Sequence, residues 1–357
     1  MNVLFLMTLN AGTGYWRMFN PAKHMDNNNG CKVILFPDFD PSFGQVYLWE
    51  MDLLRDSALG EHIGNLLKDW ADIVVGQRIG THAGLAVIDT VHHHGKKWIT
   101  EIDDNVFEVP ADHPAFKSFY PGGIQQQIAR EQLEISDGLI VTTEYLKKTY
   151  KRFNKNIYVI PNSIDFDLWK PNLKRNRRFV NIGYVGGGQH NRDLKVLQKV
   201  IPAVLEKYKN TRFIIWGGRP EMIPNGPRVK NIQTWVPVLD YPKELRKLGY
   251  DIGLAPLVDN YLTRSKSNLR WLEYSALGIP TIASPIEPFN HVSPIFLAKT
   301  SDDWVYAISH LVENKEARET VGNAAQEKVK KNYNIQDTVK KYIKILKGET
   351  NGNSSVK

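Results

Sequence analysis

One cysteine, Cys31, stands in a chain of 357 residues. A lone thiol cannot close an internal disulfide, so no covalent staple supports the fold, and a reducing, cytoplasmic setting is expected. No apolar run approaches the roughly 18 residues that a membrane-spanning helix requires. The opening stretch MNVLFLMTLNAGTG has no basic flank and soon meets a glycine turn. It reads as a buried first strand rather than a signal peptide. Clusters with metal-ligand spacing are also missing. His92, His93 and His94 are consecutive near the end of an expected helix, where their side chains diverge. Asp103 and Asp104 are adjacent, but no further ligand cluster accompanies them. No metal site is expected. What the chain does not lack is apolar residues. They make up 42% of it against 24% charged, which excludes a disordered chain. The length fits about two domains, and a chain of this size buries roughly 70% of its unfolded surface.

Charge is unevenly placed. The net charge is +8, but residues 1–160 carry 15 Lys/Arg against 19 Asp/Glu, whereas residues 161–357 carry 31 against 19. A basic half attracts phosphate, whether of a nucleotide, a nucleic acid or an anionic lipid head. A solvated lysine-rich face is the plainer reading of the same numbers.

Short β-branched runs alternate with helical patterns along the whole sequence. NVLFLM, KVILF, ADIVVG, KWITEI, DGLIVT and NIYVI read as strands of the first half. Tyr15 to Asn28, Thr81 to Gly95 and Gln125 to Ser136 read as helices between them. The segment FDLWKPNLKRNRR then interrupts with a proline, two asparagines and five basic residues, Lys170, Lys174, Arg175, Arg177 and Arg178. The alternation restarts with VNIGYVG, RFIIWGG, VKNIQTWV, YDIGLAP and IPTIAS as strands. Helices are expected over Asp193 to Tyr208, Pro242 to Leu248, Ser265 to Leu277 with Gly278 as its stop, and Ser301 to about Lys347. Such alternation builds right-handed βαβ units on parallel sheets. The expected fold class is α/β, with two Rossmann-like, doubly wound sheets facing across a cleft. The expected division is a first domain over 1–165, a linker over 166–178, a second domain over 179–335, a C-terminal helix over 336–347 packing back toward the first domain, and a disordered tail over 348–357.

In open parallel sheets ligands meet the C-terminal ends of strands, which directs attention to the residues after each strand. Gly12, Thr13 and Gly14 follow the first strand and lead into a helix whose N-terminus suits an anion, with Arg17 in its first turn. A common strand-to-helix turn explains the glycines equally well. Asp103 and Asp104 follow WITEI, placed to accept hydrogen bonds from sugar hydroxyls, to act as a base, or simply to solvate a loop. Gly187 and Gly188 precede His190, Arg192 and Asp193 in a loop whose N–H groups suit an anion, and Arg192 suits a phosphate. The stretch YLTRSKSNLRWLEYSALGIPTIAS is the richest. Ser265, Lys266, Ser267 and Asn268 open its expected helix and make a diphosphate site of N–H groups, dipole and ammonium. Glu273 lies in an otherwise apolar face and needs a partner there. Ribose hydroxyls would serve, and so would Arg270 or Arg264.

Taken together, VTTEYLKKTY with IYVIPNSIDFDLW, LRWLEYSALGIPTIAS, GYWRMFNPA, Asp103-Asp104 and GYVGGGQHNRD resemble a family. The chain is similar to the GT-B glycosyltransferases of the large retaining, nucleotide-sugar-dependent group (family 4-like), in a bacterial and phage branch. The resemblance runs over nearly the whole chain. It implies a second domain that binds the nucleotide-diphosphate sugar. Glu273 would hold the ribose. Lys266, Ser265, the N–H groups of Ser267 and Asn268, Gly187, Gly188, His190 and Arg192 would stand around the diphosphate. It implies a first domain for the acceptor, with Gly12, Thr13, Gly14 and Arg17 near phosphate or sugar and Asp103 or Asp104 on the transferred sugar or acceptor hydroxyl. Asp103, Asp104, Lys266 and Arg192 are the candidate catalytic residues. Catalysis would stabilise the departing diphosphate and need no divalent metal or other cofactor beyond the donor. Ser265 stands where the family commonly has a glutamate, and HNRD where it has an arginine and lysine pair.

The expected acceptor is a cell-envelope glycan or lipid-linked sugar, with peripheral contact to anionic membrane at the inner face. A phage enzyme acting on hydroxymethylated DNA bases is the alternative, in which positive charge tracks the backbone and the base is flipped out. Two further readings compete: a sugar-nucleotide epimerase on the same fold, and a non-catalytic nucleotide- or DNA-binding protein on that scaffold.

Overall fold

A computed structural model of the chain describes residues 1–10, 12–40, 45–46, 56–171, 178–218, 221, 223 and 225–350. The chain forms two compact units. Met1–Ser163, Ser265–Ser267 and Ile335–Lys357 make the first, and Ile164–Arg264 with Asn268–Asn334 make the second.

The first unit is built on a six-stranded parallel sheet in the order Lys32–Phe36, Asn2–Leu6, Ile73–Gln77, Lys97–Ile102, Gly138–Val141, Ile157–Val159. Its central strands are apolar on both faces because both are covered. Val3 and Phe5 face one layer, which includes Met18, Met25 and the C-terminal helix Ile335–Leu346 through Val339, Tyr342 and Ile343. Leu4 and Leu6 face the other, with Ile63, Ile88, Val91 and Trp98. The helix Ile335–Leu346 thus belongs to the first unit, and Ser163 Oγ and Thr338 Oγ1 share a hydrogen bond of 2.6 Å there. Threonines start two of the helices. Thr81 Oγ1 accepts Gly84 N–H at the head of His82–His93, and Thr143 Oγ1 accepts Leu146 N–H at the head of Glu144–Tyr150. Each satisfies an N–H that the first helical turn leaves open.

The second unit repeats the architecture in the order Val229–Ile232, Thr211–Gly217, Val180–Gly186, Ile252–Ala255, Thr281–Ala283, Phe296–Leu297, all parallel. Val180, Ile182 and Tyr184 alternate onto one face, against Leu197, Val200, Ile201 and Val204 of Leu197–Lys207 and Trp304, Ile308 and Leu311 of Ser301–Glu313. A capping box of Thr300 and Asp303 opens the latter helix. On the other face the absence of a Cβ at Gly183 and Gly253 makes room for the rings of Tyr250 and Tyr274.

Three expectations change. The helix expected from Ser265 to Leu277 is two helices, Tyr261–Ser265 and Leu269–Ala276, with Lys266 to Asn268 between them. The expected linker 166–178 begins inside the second unit. Trp169 is fully buried, and its ring stands edge-on to Tyr241 at 5.7 Å. Lys174, Arg175 and Arg177 lie outside the described residues, as do 351–357 of the expected tail. A short strand, Phe296–Leu297, closes the second sheet where none was expected.

Candidate active site

Asp103 and Asp104 leave the C-terminal end of strand Lys97–Ile102, where sheet ligands are met. Tyr150 OH donates to the Asp104 carbonyl at 2.5 Å and fixes this turn. Asp104 Oδ1 takes Lys266 Nζ at 2.6 Å, with the two side chains 40% and 28% exposed. An ion pair that open to water contributes about 0–1 kcal/mol. Burial and the neighbouring Asp104 push the Asp103 carboxyl up to about 6, against the pull of Lys266, Arg17 and Arg78. The three residues Ser265 to Ser267 are held in this unit by a set of hydrogen bonds. Ser265 Oγ accepts Asn105 N–H at 3.3 Å, Ser265 O accepts the Thr143 hydroxyl at 3.4 Å, and Ser267 Oγ accepts Asn162 Nδ2 at 2.8 Å. These contacts account for the helix break. Ser-Lys-Ser has no intrinsic objection to helix, and tertiary bonds override its local preference.

Arg17, expected near phosphate or sugar on the acceptor side, is an interior residue. It is 1% exposed, its Nε donates to Glu101 Oε1 at 2.5 Å, and its Nη1 donates to Ile160 O at 2.9 Å and to Asn162 Oδ1 at 3.1 Å. Burial raises the Glu101 carboxyl, and the guanidinium beside it opposes that rise. The glycines before Arg17 also differ from expectation. Gly12–Gly14 is already helical and runs on through a wider turn, Tyr15–Phe19, into Asn20–Met25. Gly14 sits at φ −60°, ψ −41°, ordinary right-handed helix, so its special freedom is unused. Gly12 is exposed and Thr13 half-buried at the head of this helix.

In the second unit the strand order reverses between Val180–Gly186 and Ile252–Ala255, which is where an open parallel sheet forms its crevice. Asp193 bridges the two loops that leave this point. Its Oδ1 accepts Val258 N–H at 2.8 Å and its Oδ2 pairs with His190 Nδ1 at 2.9 Å. Asp193 is buried, His190 and Arg192 are half-buried, and Gly187 and Gly188 are exposed in the same loop. Gly217, at φ +101°, lets its strand end lie against this loop, since a Cβ there would stand 2.1 Å from Gly186 O.

Glu273 is buried on Leu269–Ala276, and its partner is Arg270, three residues earlier, with Tyr241 OH donating to the same Oε2 at 3.2 Å. Of the alternatives left open by the sequence, the ion pair with Arg270 is therefore present. Arg264 instead pairs with Asp259 through both Nε and Nη2. Burial raises the Glu273 carboxyl while Arg270 and Tyr241 hold it down. Trp216 and Tyr241 lie 5.4 Å apart beside this pair. Among the described residues no group of three or more His, Cys, Asp or Glu side chains is arranged to hold a metal, and His92 pairs with Asp137. No helix among them is long and apolar enough to cross a membrane.

Residues 195–344 match the family described as glycosyl transferase-like. The fold is that of the GT-B glycosyltransferases. The chain is similar to Staphylococcus aureus TarM, solved with UDP, α-GlcNAc-glycerol and fondaparinux, at 17% identity over 77% of this chain and 55% of that one, with a TM-score of 0.56. It is similar to the catalytic domain of starch synthase IV from Arabidopsis thaliana, bound to ADP and acarbose, at 12% identity over 97% and 98%, TM-score 0.66. A Listeria monocytogenes protein described as a candidate UDP-N-acetylglucosamine 2-epimerase is also similar, at 13% identity over 98% of each chain, TM-score 0.57. The chain spans about half the length of TarM. No curated protein sequence matches it. At these identities the likeness establishes the GT-B architecture, and segment 195–344 is similar to the family described as glycosyl transferase-like.

Tyr241, Asn105, Thr143 and Asn162 escaped the sequence reading, whereas Arg270 was among its candidate partners for Glu273. Tyr241 and Arg270 meet Glu273, and Asn105, Thr143 and Asn162 hold Ser265 to Ser267. Only Arg270 had a signal, its i,i+3 spacing to Glu273 on one helix face.

Proposed function

We propose that the chain transfers a sugar from a nucleoside-diphosphate sugar to an acceptor hydroxyl, with retention and without a bound divalent metal. The observation that supports this most is the reversal point of the second sheet, where Asp193 ties two loops together and holds His190 beside the exposed Gly187 and Gly188. Loop N–H groups and an imidazole at such a point suit a diphosphate. His190 Nδ1 faces Asp193, so Nε2 is the nitrogen that would turn to the ligand. Arg192 would add a cation, and Asn268 would flank the donor, while Ser265, fully buried and bonded to Asn105 and Thr143, would act only by holding the neighbouring Lys266 and Ser267 in place.

Both Arg270 and Tyr241 bind Oε2 of Glu273, so a ribose hydroxyl would be met through Oε1. Lys266 would exchange Asp104 for the diphosphate. With Ser267 and the first N–H groups of Leu269–Ala276, it would stabilise charge on the departing group. Asp103 and Asp104 would accept hydrogen bonds from the transferred sugar or the acceptor hydroxyl. Gly12, Thr13 and Gly14, at the head of their helix, would bound the acceptor side.

The acceptor proposed is a cell-envelope or lipid-linked sugar. Lys147, Lys148, Lys151 and Arg152, along and just after Glu144–Tyr150, together with the basic second half of the sequence, would favour an anionic membrane surface. Release of nucleoside diphosphate from UDP-, GDP-, ADP- and dTDP-sugars tests the reading. The assay is run with no acceptor, with lipid-linked sugars and with hydroxymethylated DNA. Release from one donor, accelerated by one acceptor, is expected. Acceleration by DNA alone would move the acceptor to nucleic acid, and conversion of the donor to another nucleotide sugar would identify an epimerase.

A further inference from the structure

We propose that Arg17, Asn162 and Ser267 form a one-way donor relay that presents the Ser267 hydroxyl proton to a diphosphate oxygen of the donor; this rests on the glycosyltransferase reading above. All three residues belong to the first unit. Arg17 Nη1 donates to Asn162 Oδ1 at 3.1 Å, and Asn162 Nδ2 donates to Ser267 Oγ at 2.8 Å.

The polarity of this chain has one solution. A guanidinium has donors and no acceptor, so the Asn162 atom facing it is the carbonyl oxygen. That turns the amide nitrogen toward Ser267. An amide nitrogen also only donates, so Ser267 Oγ accepts. The hydroxyl still has a proton to give and cannot give it to Asn162. The proton points away from Asn162, toward solvent or toward a bound anion rich in oxygens.

The relay is braced against inversion. Arg17 is anchored by Glu101 and by Ile160 O, and Arg17 and Asn162 are 1% and 4% exposed. Flipping the Asn162 amide would set N–H against N–H in a dry interior and leave buried donors unmatched, a costly outcome. Ser267 is half-buried and adjacent to Lys266 in the chain. The buried Arg17–Glu101 pair thereby gains a role that its burial otherwise conceals. Arg17 and Asn162 are positioning residues, and Ser267 is the group that touches the donor.

The test is calorimetric binding of UDP, GDP, ADP and dTDP, with the matching nucleosides as controls. It compares the wild-type chain with Asn162→Asp, Ser267→Ala and the double variant, each with its melting temperature. In Asn162→Asp both side-chain oxygens accept, so Arg17 keeps its partner while Ser267 turns its proton inward. Each single variant is expected to weaken the preferred diphosphate about 10-fold or more, the double variant no further, and the nucleoside not at all. Ser267→Thr, which restores a hydroxyl, is expected to recover most of the diphosphate affinity lost in Ser267→Ala, and Asn162→Ala, which removes the amide that fixes the Ser267 hydroxyl, carries the test if Asn162→Asp does not fold. Additive losses in the double variant, or equal losses for nucleoside and diphosphate, would overturn the relay. Diphosphate binding unchanged in both single variants would overturn the relay and leave the transferase reading standing. A wild-type chain that binds no nucleoside diphosphate would overturn both.

Discussion

Replacing Glu273 separates its two suggested duties, counter-ion to Arg270 and partner of a ribose. The side chain of Glu273 is 4% exposed and that of Arg270 23%. Glu273→Ala leaves Arg270 without its carboxylate. Breaking a fully buried pair costs about 3–5 kcal/mol, and the water that still reaches Arg270 puts this one near the lower end, about 3 kcal/mol. In a unit of this size about 3 kcal/mol corresponds to roughly 6–12 °C in melting temperature. Glu273→Gln keeps an oxygen for Arg270 and Tyr241 and should lose no more than a few degrees. Charge-assisted hydrogen bonds to a ribose contribute about 1.5–3 kcal/mol, so Glu273→Gln should raise the donor KM about 10-fold or more. Scanning fluorimetry gives the first quantity, and donor titration well below the melting point gives the second. An alanine variant within about 2 °C of the parent would refute the energetic reasoning. A glutamine variant with the parent's KM would leave Glu273 as the counter-ion of Arg270 alone.

Lys266→Ala should slow transfer about 100-fold or more through loss of leaving-group stabilisation, whereas its exposed pair with Asp104 should cost the fold about 1 kcal/mol or less; a near-normal rate would remove Lys266 from the diphosphate site. EDTA should leave the rate unchanged, and strict dependence on a divalent metal would contradict the mechanism. Asp103, raised from 3.8 to about 6, favours its protonated form in the fold, so folded stability falls as pH rises between those values. The melting temperature of Asp103→Asn relative to the parent should therefore climb through that window and level off above it. An offset constant across the window would contradict the shift.

Much of the architecture is legible in the sequence because it rests on local periodicity. VNIGYVG and KWITEI coincide with strands Val180–Gly186 and Lys97–Ile102, since continuous β-branched runs between helical patterns have few other uses. The placement of a candidate residue is legible only where its type meets a strand end, as at Asp103, Asp104 and Gly187. Arg17 was misplaced because its partner Glu101 lies 84 positions away, and no pattern within a helix reveals such a pairing. The break at Lys266 was invisible for the same reason. It is imposed by Asn105 and Thr143, which are 160 and 122 positions distant. Glu273 shows the intermediate case. The sequence supplied its candidates, ribose or arginine, and the packing of Tyr241 and Arg270 against it determined which partner the protein itself provides.

The most direct measurement counts products on both sides of the reaction. The full chain is incubated with the nucleotide sugar it prefers and its best acceptor, and nucleoside diphosphate and glycosylated acceptor are quantified together by mass spectrometry. The account predicts one glycosylated acceptor for each diphosphate released. Diphosphate appearing with free sugar alone, or a donor bound and returned intact in every arm, would contradict it.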